Sequence, residues 1–110
     1  MAEFTGFVEE QLGAALGDPG RVRSRRMFGG WGIYIDDVMC ALIGDDALYL
    51  KVDEQSVPHF KERELEQFMY PKDGKLVGMS YYRAPEDVFD DPDEMRHWAV
   101  LALEAALRSR

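Results

Sequence analysis

At 110 residues, with 46% hydrophobic and 31% charged side chains, the chain has enough apolar surface for one modest core, which excludes a disordered polyelectrolyte. Its formal net charge of −8 works against nonspecific attraction to nucleic-acid phosphates as a property of the whole chain. Cys40 is the only cysteine, which leaves no intrachain disulfide and no cysteine-based zinc site, and no apolar run approaches the ~20 residues of a membrane helix. The start, Met1-Ala-Glu-Phe-Thr-Gly6, has neither the basic nor the apolar region of a secretion signal, so the expected compartment is the cytoplasm.

Phe4, Phe7, Val8, Leu12, Ala15 and Leu16 recur at steps of three and four and predict an amphipathic helix, which Gly17 ends and Asp18-Pro19-Gly20 keeps ended. Arg21, Arg23, Arg25 and Arg26 follow as a compact basic patch. From Arg25 to Asp37 the side chains alternate, Met27, Trp31, Ile33 and Ile35 on one face and Phe28 and Tyr34 on the other, which is the period of a strand. Gly29, Gly30 and Gly32 mark that strand as bulged or strongly twisted. Asp36-Asp37 turns the chain into the apolar run 38–43, and Gly44-Asp45-Asp46 turns it into 47–52, giving an antiparallel meander of three strands.

Ser56 is placed to cap a short helix with Pro58 in its first turn and Phe60 and Leu65 buried. Phe68-Met69-Tyr70, halted by Pro71, and Leu76 to Tyr82 read as a hairpin about the turn Lys72-Asp-Gly-Lys75. Asp91-Pro92-Asp93-Glu94 is a complete helix start: a capping aspartate, a proline at the first helical position and a glutamate three residues after the cap. The helix it opens runs nearly to Arg110. His97, Glu104 and Arg108 fall on one narrow stripe of it, so its apolar circumference exceeds what one sheet face covers. The surplus predicts contact with a second helix, either the first helix of this chain or one from the other subunit of a homodimer. Pairing through Leu76 to Tyr82 as an uncovered edge, and attraction between the arginine patch and the acidic run Glu86 to Glu94, are two further routes to that dimer.

The whole chain, 1–110, therefore reads as a single α+β domain. It is a two-layer sandwich of order αβββαββα, a meander plus a hairpin with the helices packed on one side. Trp31, Ile33, Leu48, Leu50, Phe60, Met79 and Tyr81 are its expected core.

No catalytic constellation emerges. His59 and His97 sit on separate predicted helices without a histidine or cysteine at metal-ligand spacing, and Cys40 lies inside an apolar strand with no base beside it in sequence. The glycines of Gly29-Gly-Trp-Gly32 do not follow a strand and open a helix, so neither a dinucleotide-binding nor a phosphate-loop reading fits. No pair of carboxylates is singled out as acid and base. The reading assigns no catalytic residue, no cofactor and no metal. Trp31, Tyr70, Tyr81 and Tyr82 have the chemistry of a base-stacking platform, but packing is the commoner fate of strand aromatics, and direct nucleic-acid binding is not expected of so acidic a chain.

Arg26-Met-Phe-Gly-Gly-Trp-Gly-Ile-Tyr34, Leu48-Tyr-Leu-Lys-Val-Asp53 and Met79-Ser-Tyr-Tyr-Arg-Ala-Pro85, followed by Asp91-Pro92 and Trp98, resemble the TfoX N-terminal domain family over nearly the whole chain. The resemblance implies the order αβββαββα and kinship with regulators of competence gene expression, in which a second, helical domain commonly follows. The chain stops at Arg110, so no C-terminal helical domain is expected within it. The family contributes no catalytic residues. The resemblance favours a non-enzymatic regulatory or adaptor module acting through a protein partner. The alternative is a small-ligand or phosphate-binding protein built on a pocket of Arg25, Arg26, Tyr34 and Arg83, with Arg21 and Arg23 beside the glycine-rich strand.

Overall fold

The computed structural model describes residues 2–27 and 29–110, so the expected place of Phe28 beside Tyr34 lies outside the described residues. Helix α1 spans Ala2–Leu16; strands β1 to β4 span Val22–Met27, Gly30–Ile35, Val38–Gly44 and Ala47–Lys51; helix α2 spans Val57–Glu62; strands β5 and β6 span Gln67–Lys72 and Lys75–Arg83; helix α3 spans Pro92–Arg108. The six described strands form one antiparallel sheet in the order β1-β2-β3-β4-β6-β5. The fold class is α+β, as the pattern of the sequence implies.

The meander has one strand more than the sequence pattern suggests. The stretch from Arg25, whose alternation predicts a single strand, folds back on itself at Gly29, whose φ of +76° is left-handed, and β1 then pairs with β2 from Val22↔Ile35 to Met27↔Gly30. The hairpin reverses the alternation. Arg26 shares a face with Trp31, whereas Met27 lies on the opposite one. β1 escaped notice because it is an edge strand of sequence Val-Arg-Ser-Arg-Arg-Met, with little apolar alternation to betray it. Gly30 is required by the sheet itself, since a Cβ there would lie 2.1 Å from the Ile43 carbonyl oxygen of the neighbouring strand.

Three tight turns share one chemistry. Asp36-Asp37, Asp45-Asp46 and Asp73-Gly74 all have φ between +51° and +77°, the left-handed pair whose twist matches that of antiparallel strands. Aspartate tolerates this region better than most side-chain-bearing residues, which explains the doubled aspartates. Pro71 does not halt β5 but lies within it; β5 is the outer strand, where a missing N–H costs no ladder bond. β6 lies between β4 and β5 but pairs with β4 only through Tyr81, Tyr82 and Arg83, so the edge expected at Leu76 to Tyr82 is covered at Tyr81 and Tyr82 and open from Leu76 to Met79.

One face of the sheet forms the core. Ile33, Ile35, Ile43, Leu48, Leu50 and Tyr82 are buried there against Val8 and Leu12 of α1, Phe60 of α2, and Met95 and Trp98 of α3. Phe60 is 0% exposed and lies between two rings, 4.8 Å from that of Trp98 and 6.0 Å from that of Tyr82. Of the expected core, Ile33, Leu48, Leu50 and Phe60 are fully buried and Trp31 half-buried. Met79 is not in it. It is 38% exposed, because β6 turns Tyr82 toward the helices and sends Tyr81 and Met79 to the other face; Tyr81 is buried there, apart from the main core. The apolar surplus of α3 is taken up mainly by α1, which packs along it and leaves Leu107 exposed at the C-terminal end.

Two helix starts differ from the expected capping. Ser56 does not cap α2; its backbone is already helical, and its hydroxyl accepts from the Asp53 N–H while the Asp53 carboxylate accepts from the N–H groups of Gln55 and Ser56. That reciprocal pair organises the turn before α2. At α3, Asp91 accepts from the Asp93 N–H as expected, but Glu94 reaches forward to accept from the Trp98 indole N–H at 3.2 Å.

Asp53 also clamps the end of the fold, accepting two hydrogen bonds from the Arg108 guanidinium near the C-terminus of α3. The Arg108 bond, reinforced by Ser56, holds the Asp53 carboxyl well below the usual carboxylate range. A carboxylate depressed in this way contributes stability above its unfolded-state pKa of about 3.9, and that contribution fades as pH falls toward the folded-state value. Arg108→Gln should therefore be less stable than the parent by a constant margin from pH 5 to 8, and the margin should shrink below about pH 4. Urea unfolding at pH 7 and pH 3 measures this; an equal margin at both would show that the clamp carries no linkage.

Candidate interaction surface

Among the described residues no helix packs on the second face of the sheet. Strand register places Arg23, Arg25, Tyr34, Leu42, Tyr49 and Lys51 on it, with Tyr81 and Arg83 continuing it onto β6. Beyond β4 the β5–β6 hairpin extends it through Val77 and Met79, and every residue from 71 to 80 is exposed. Within this face Met27 and Met39 fold over Gly32, where a Cβ would meet their terminal methyl carbons at 2.8 and 3.0 Å. Tyr49 and Phe68 meet edge to face at 4.9 Å. Lys51 lies over the Tyr81 ring at 5.1 Å and donates to the Ser80 hydroxyl at 2.7 Å.

Charge separates the two sides of the molecule. Among the described residues no strand contains an aspartate or glutamate, while the strands hold Arg23, Arg25 and Arg26 on β1, Lys51 on β4, Lys72 on β5, and Lys75 and Arg83 on β6. Of these only Arg26 falls on the helix side, over the Trp31 ring at 5.9 Å. The carboxylates behind the net charge of −8 sit on helices, turns and loops.

The arginines flagged in the sequence are thus dispersed. Arg21 forms a two-pronged ion pair with Asp36 at 2.7 and 2.8 Å, and Arg23 pairs with Asp37. Arg25 and Tyr34 share the open face, whereas Arg26 is on the other side and Arg83 is four strands from β1, about 19 Å across the sheet. These residues line no common pocket. Two shallow concavities of about 300 Å³ each lie around Arg83 at the end of the sheet, one beside Phe4, Glu86, Phe89 and Asp90, the other beside Glu64 and Glu66. The four aromatics with the chemistry of a stacking platform are split as well: Trp31 and Tyr82 face the helices, Tyr81 lies beneath Lys51, and Tyr70 sits opposite Val77 on the open face at the outer strand. The acidic run near the C-terminal helix engages Arg63 through Asp87 at 3.0 Å rather than the arginine patch.

Burial pushes the Cys40 thiol up to about 11 and the Tyr81 phenol up to about 12, so both stay protonated at neutral pH. His59 and His97 are exposed, and no cluster of three metal-ligating side chains occurs among the described residues. No helix among them is long and apolar enough to cross a membrane. The open face is not legible in the sequence because its residues are contributed by six strands, of which β1 has no strand-like pattern; the one signal available is the absence of carboxylates from the strand-like apolar runs.

Comparison with known proteins connects this architecture to a family. A family model described as the TfoX N-terminal domain matches residues 14–106. Protein Sxy of Escherichia coli K12 is 29% identical over 91 residues, which cover 83% of this chain and 44% of that protein. The DNA transformation protein TfoX1 of Aliivibrio fischeri is 31% identical over 67 residues, 61% of this chain and 32% of that protein. The chain spans less than half the length of either relative over the matched region.

Proposed function

Because the chain belongs to the TfoX N-terminal domain family, we propose that it is a non-enzymatic regulatory module of the competence-regulator type, acting by docking a protein partner. The observation that carries this reading is the sheet face without a helix, a broad surface of exposed and half-buried apolar side chains flanked by cations. Buried Cys40, the two exposed histidines and the shallow concavities offer a substrate no shaped, water-excluding site, whereas adaptor function needs only a surface and a stable scaffold behind it. The absence of carboxylates from the strands gives that surface a sign, which favours selective docking over general stickiness.

A graft tests the regulatory role. Replacing the matched segment of the DNA transformation protein TfoX1 with this chain should yield a chimera that restores DNA transformation above the level of a strain lacking TfoX1. A chimera that is expressed and folded yet restores none would overturn the reading.

A further inference from the structure

We propose that the helix-free sheet face is the docking site for an acidic amphipathic helix of a protein partner, with carboxylates along one flank and aliphatic side chains along the other. The proposal rests on the adaptor reading above and specifies its partner chemistry.

Three observations carry it. The first is sign: Arg25, Lys51, Lys72, Lys75 and Arg83 occupy this face with no strand carboxylate among the described residues, and the nearby acids lie at its margins, Asp37 already paired with Arg23, Asp73 in a turn, and Glu64, Glu66 and Glu86 around Arg83 at the end of the sheet. On a chain of net charge −8 this concentrates attraction for anions on one side, and it opposes like charge to like charge if two copies meet face to face. The second is apolarity. Met79 and Val77 are 38% and 42% exposed, Met39 and Leu42 are half-buried, and such flexible side chains suit an aliphatic partner surface. Sequence-tolerant base stacking requires a row of open ring faces instead, and of the rings on this face Tyr49 packs edge-on to Phe68, the Tyr81 ring lies under Lys51, and Tyr34 and Tyr70 are half-buried. The third is shape. Strand addition is discouraged at the two outer edges, by the arginines of β1 and by Pro71 in β5, and the one further rim, the stretch 75–79 of β6 that β4 does not reach, is short beside the face itself. Six strands make a face about 24 Å wide, room for a helix of about 10 to 12 Å diameter lying across it.

The test uses fluorescence anisotropy with three labelled probes: a 20-residue amphipathic peptide of Glu and Leu at helical spacing, a poly-glutamate of equal length, and a single-stranded dT oligonucleotide. The intact protein should bind the amphipathic peptide at least tenfold more tightly than poly-glutamate or the oligonucleotide. Arg25→Glu and Arg83→Glu, both at exposed positions, should each weaken peptide binding at least fivefold, whereas Arg96→Glu on the helix side should leave it unchanged. Unaltered thermal midpoints keep the comparison about binding. Tighter binding of the oligonucleotide, equal binding of poly-glutamate, no binding of the peptide, or sensitivity to Arg96→Glu would overturn the proposal. Self-association that is abolished by Arg25→Glu would overturn it too, naming a second copy as the occupant. A chimera that restores transformation while the peptide fails to bind would refute this partner chemistry and leave the adaptor role standing.

Discussion

Phe60→Ala is expected to destabilise the fold by about 3 to 5 kcal/mol, read as a fall in the urea midpoint at unchanged slope. Phe60 is the one fully buried residue of the short helix α2, and it fills the space between Trp98 of α3 and Tyr82 of β6. Truncation removes the transfer free energy of the ring and leaves a cavity bordered by two aromatic side chains whose positions are fixed by other contacts. One of these is Trp98, held by its indole bond to Glu94 and by the Arg63 guanidinium 5.7 Å from its ring. Local collapse is therefore limited, which places the expected cost in the upper part of the range for core truncations. A loss below about 1.5 kcal/mol would mean that α2 is peripheral to the core.

Leu50→Ala should cost about 2 to 5 kcal/mol, and Met79→Ala less than about 1 kcal/mol, in the same unfolding assay. Leu50 is 1% exposed and sits opposite both Ala41 and Tyr82 on the helix-covered face. Met79, by contrast, projects from the other face. The sequence gives no reason to separate the two residues, since both occupy apolar strands. The contrast thus tests the register of β4 and β6 directly, because a shift of one residue in either strand exchanges the faces. Equal losses for the two substitutions would contradict the structure.

What the sequence disclosed, and what it withheld, follows from the range over which each signal acts. Helix α3 was legible in its extent and in its Asp91 cap because Asp91, Pro92 and the apolar spacing behind them act within a few turns of one another. The doubled aspartates and Asp73-Gly74 located every turn that they make, since a left-handed pair depends on the two residues themselves. β1 was missed because an arginine-rich edge strand owes its conformation to its ladder with β2, not to any pattern of its own. Met79 was misplaced for a related reason: which face of β6 meets the helices is decided by its pairing with β4, thirty residues earlier in the chain. The candidate surface combines both difficulties. Arg25 and Tyr34 were flagged together and do lie together, but Lys51, Lys72 and Lys75 join them only once six strands are set in order.

The same ordering explains why the arginine cluster is not itself a pocket. Residues adjacent along a strand project to opposite faces, so Arg25 and Arg26 diverge, and the aspartates of the following turn neutralise Arg21 and Arg23. What remains is a cation at intervals across a wide apolar sheet. Attraction of that kind is screened within about 8 Å at physiological salt, so it acts at close range, where the apolar contacts are also made. Rising ionic strength is accordingly expected to slow association with an acidic partner more than it hastens release.

The central claim, that this face is where a partner docks, is tested most directly by a 15N–1H NMR titration of the intact protein with the acidic amphipathic peptide. Amide shift changes are expected to concentrate at Arg25, Gly32, Tyr34, Leu42, Lys51 and Tyr81, with the amides of α1 and α3 unmoved. Changes confined to α1 and α3, with those six amides unmoved, would contradict it.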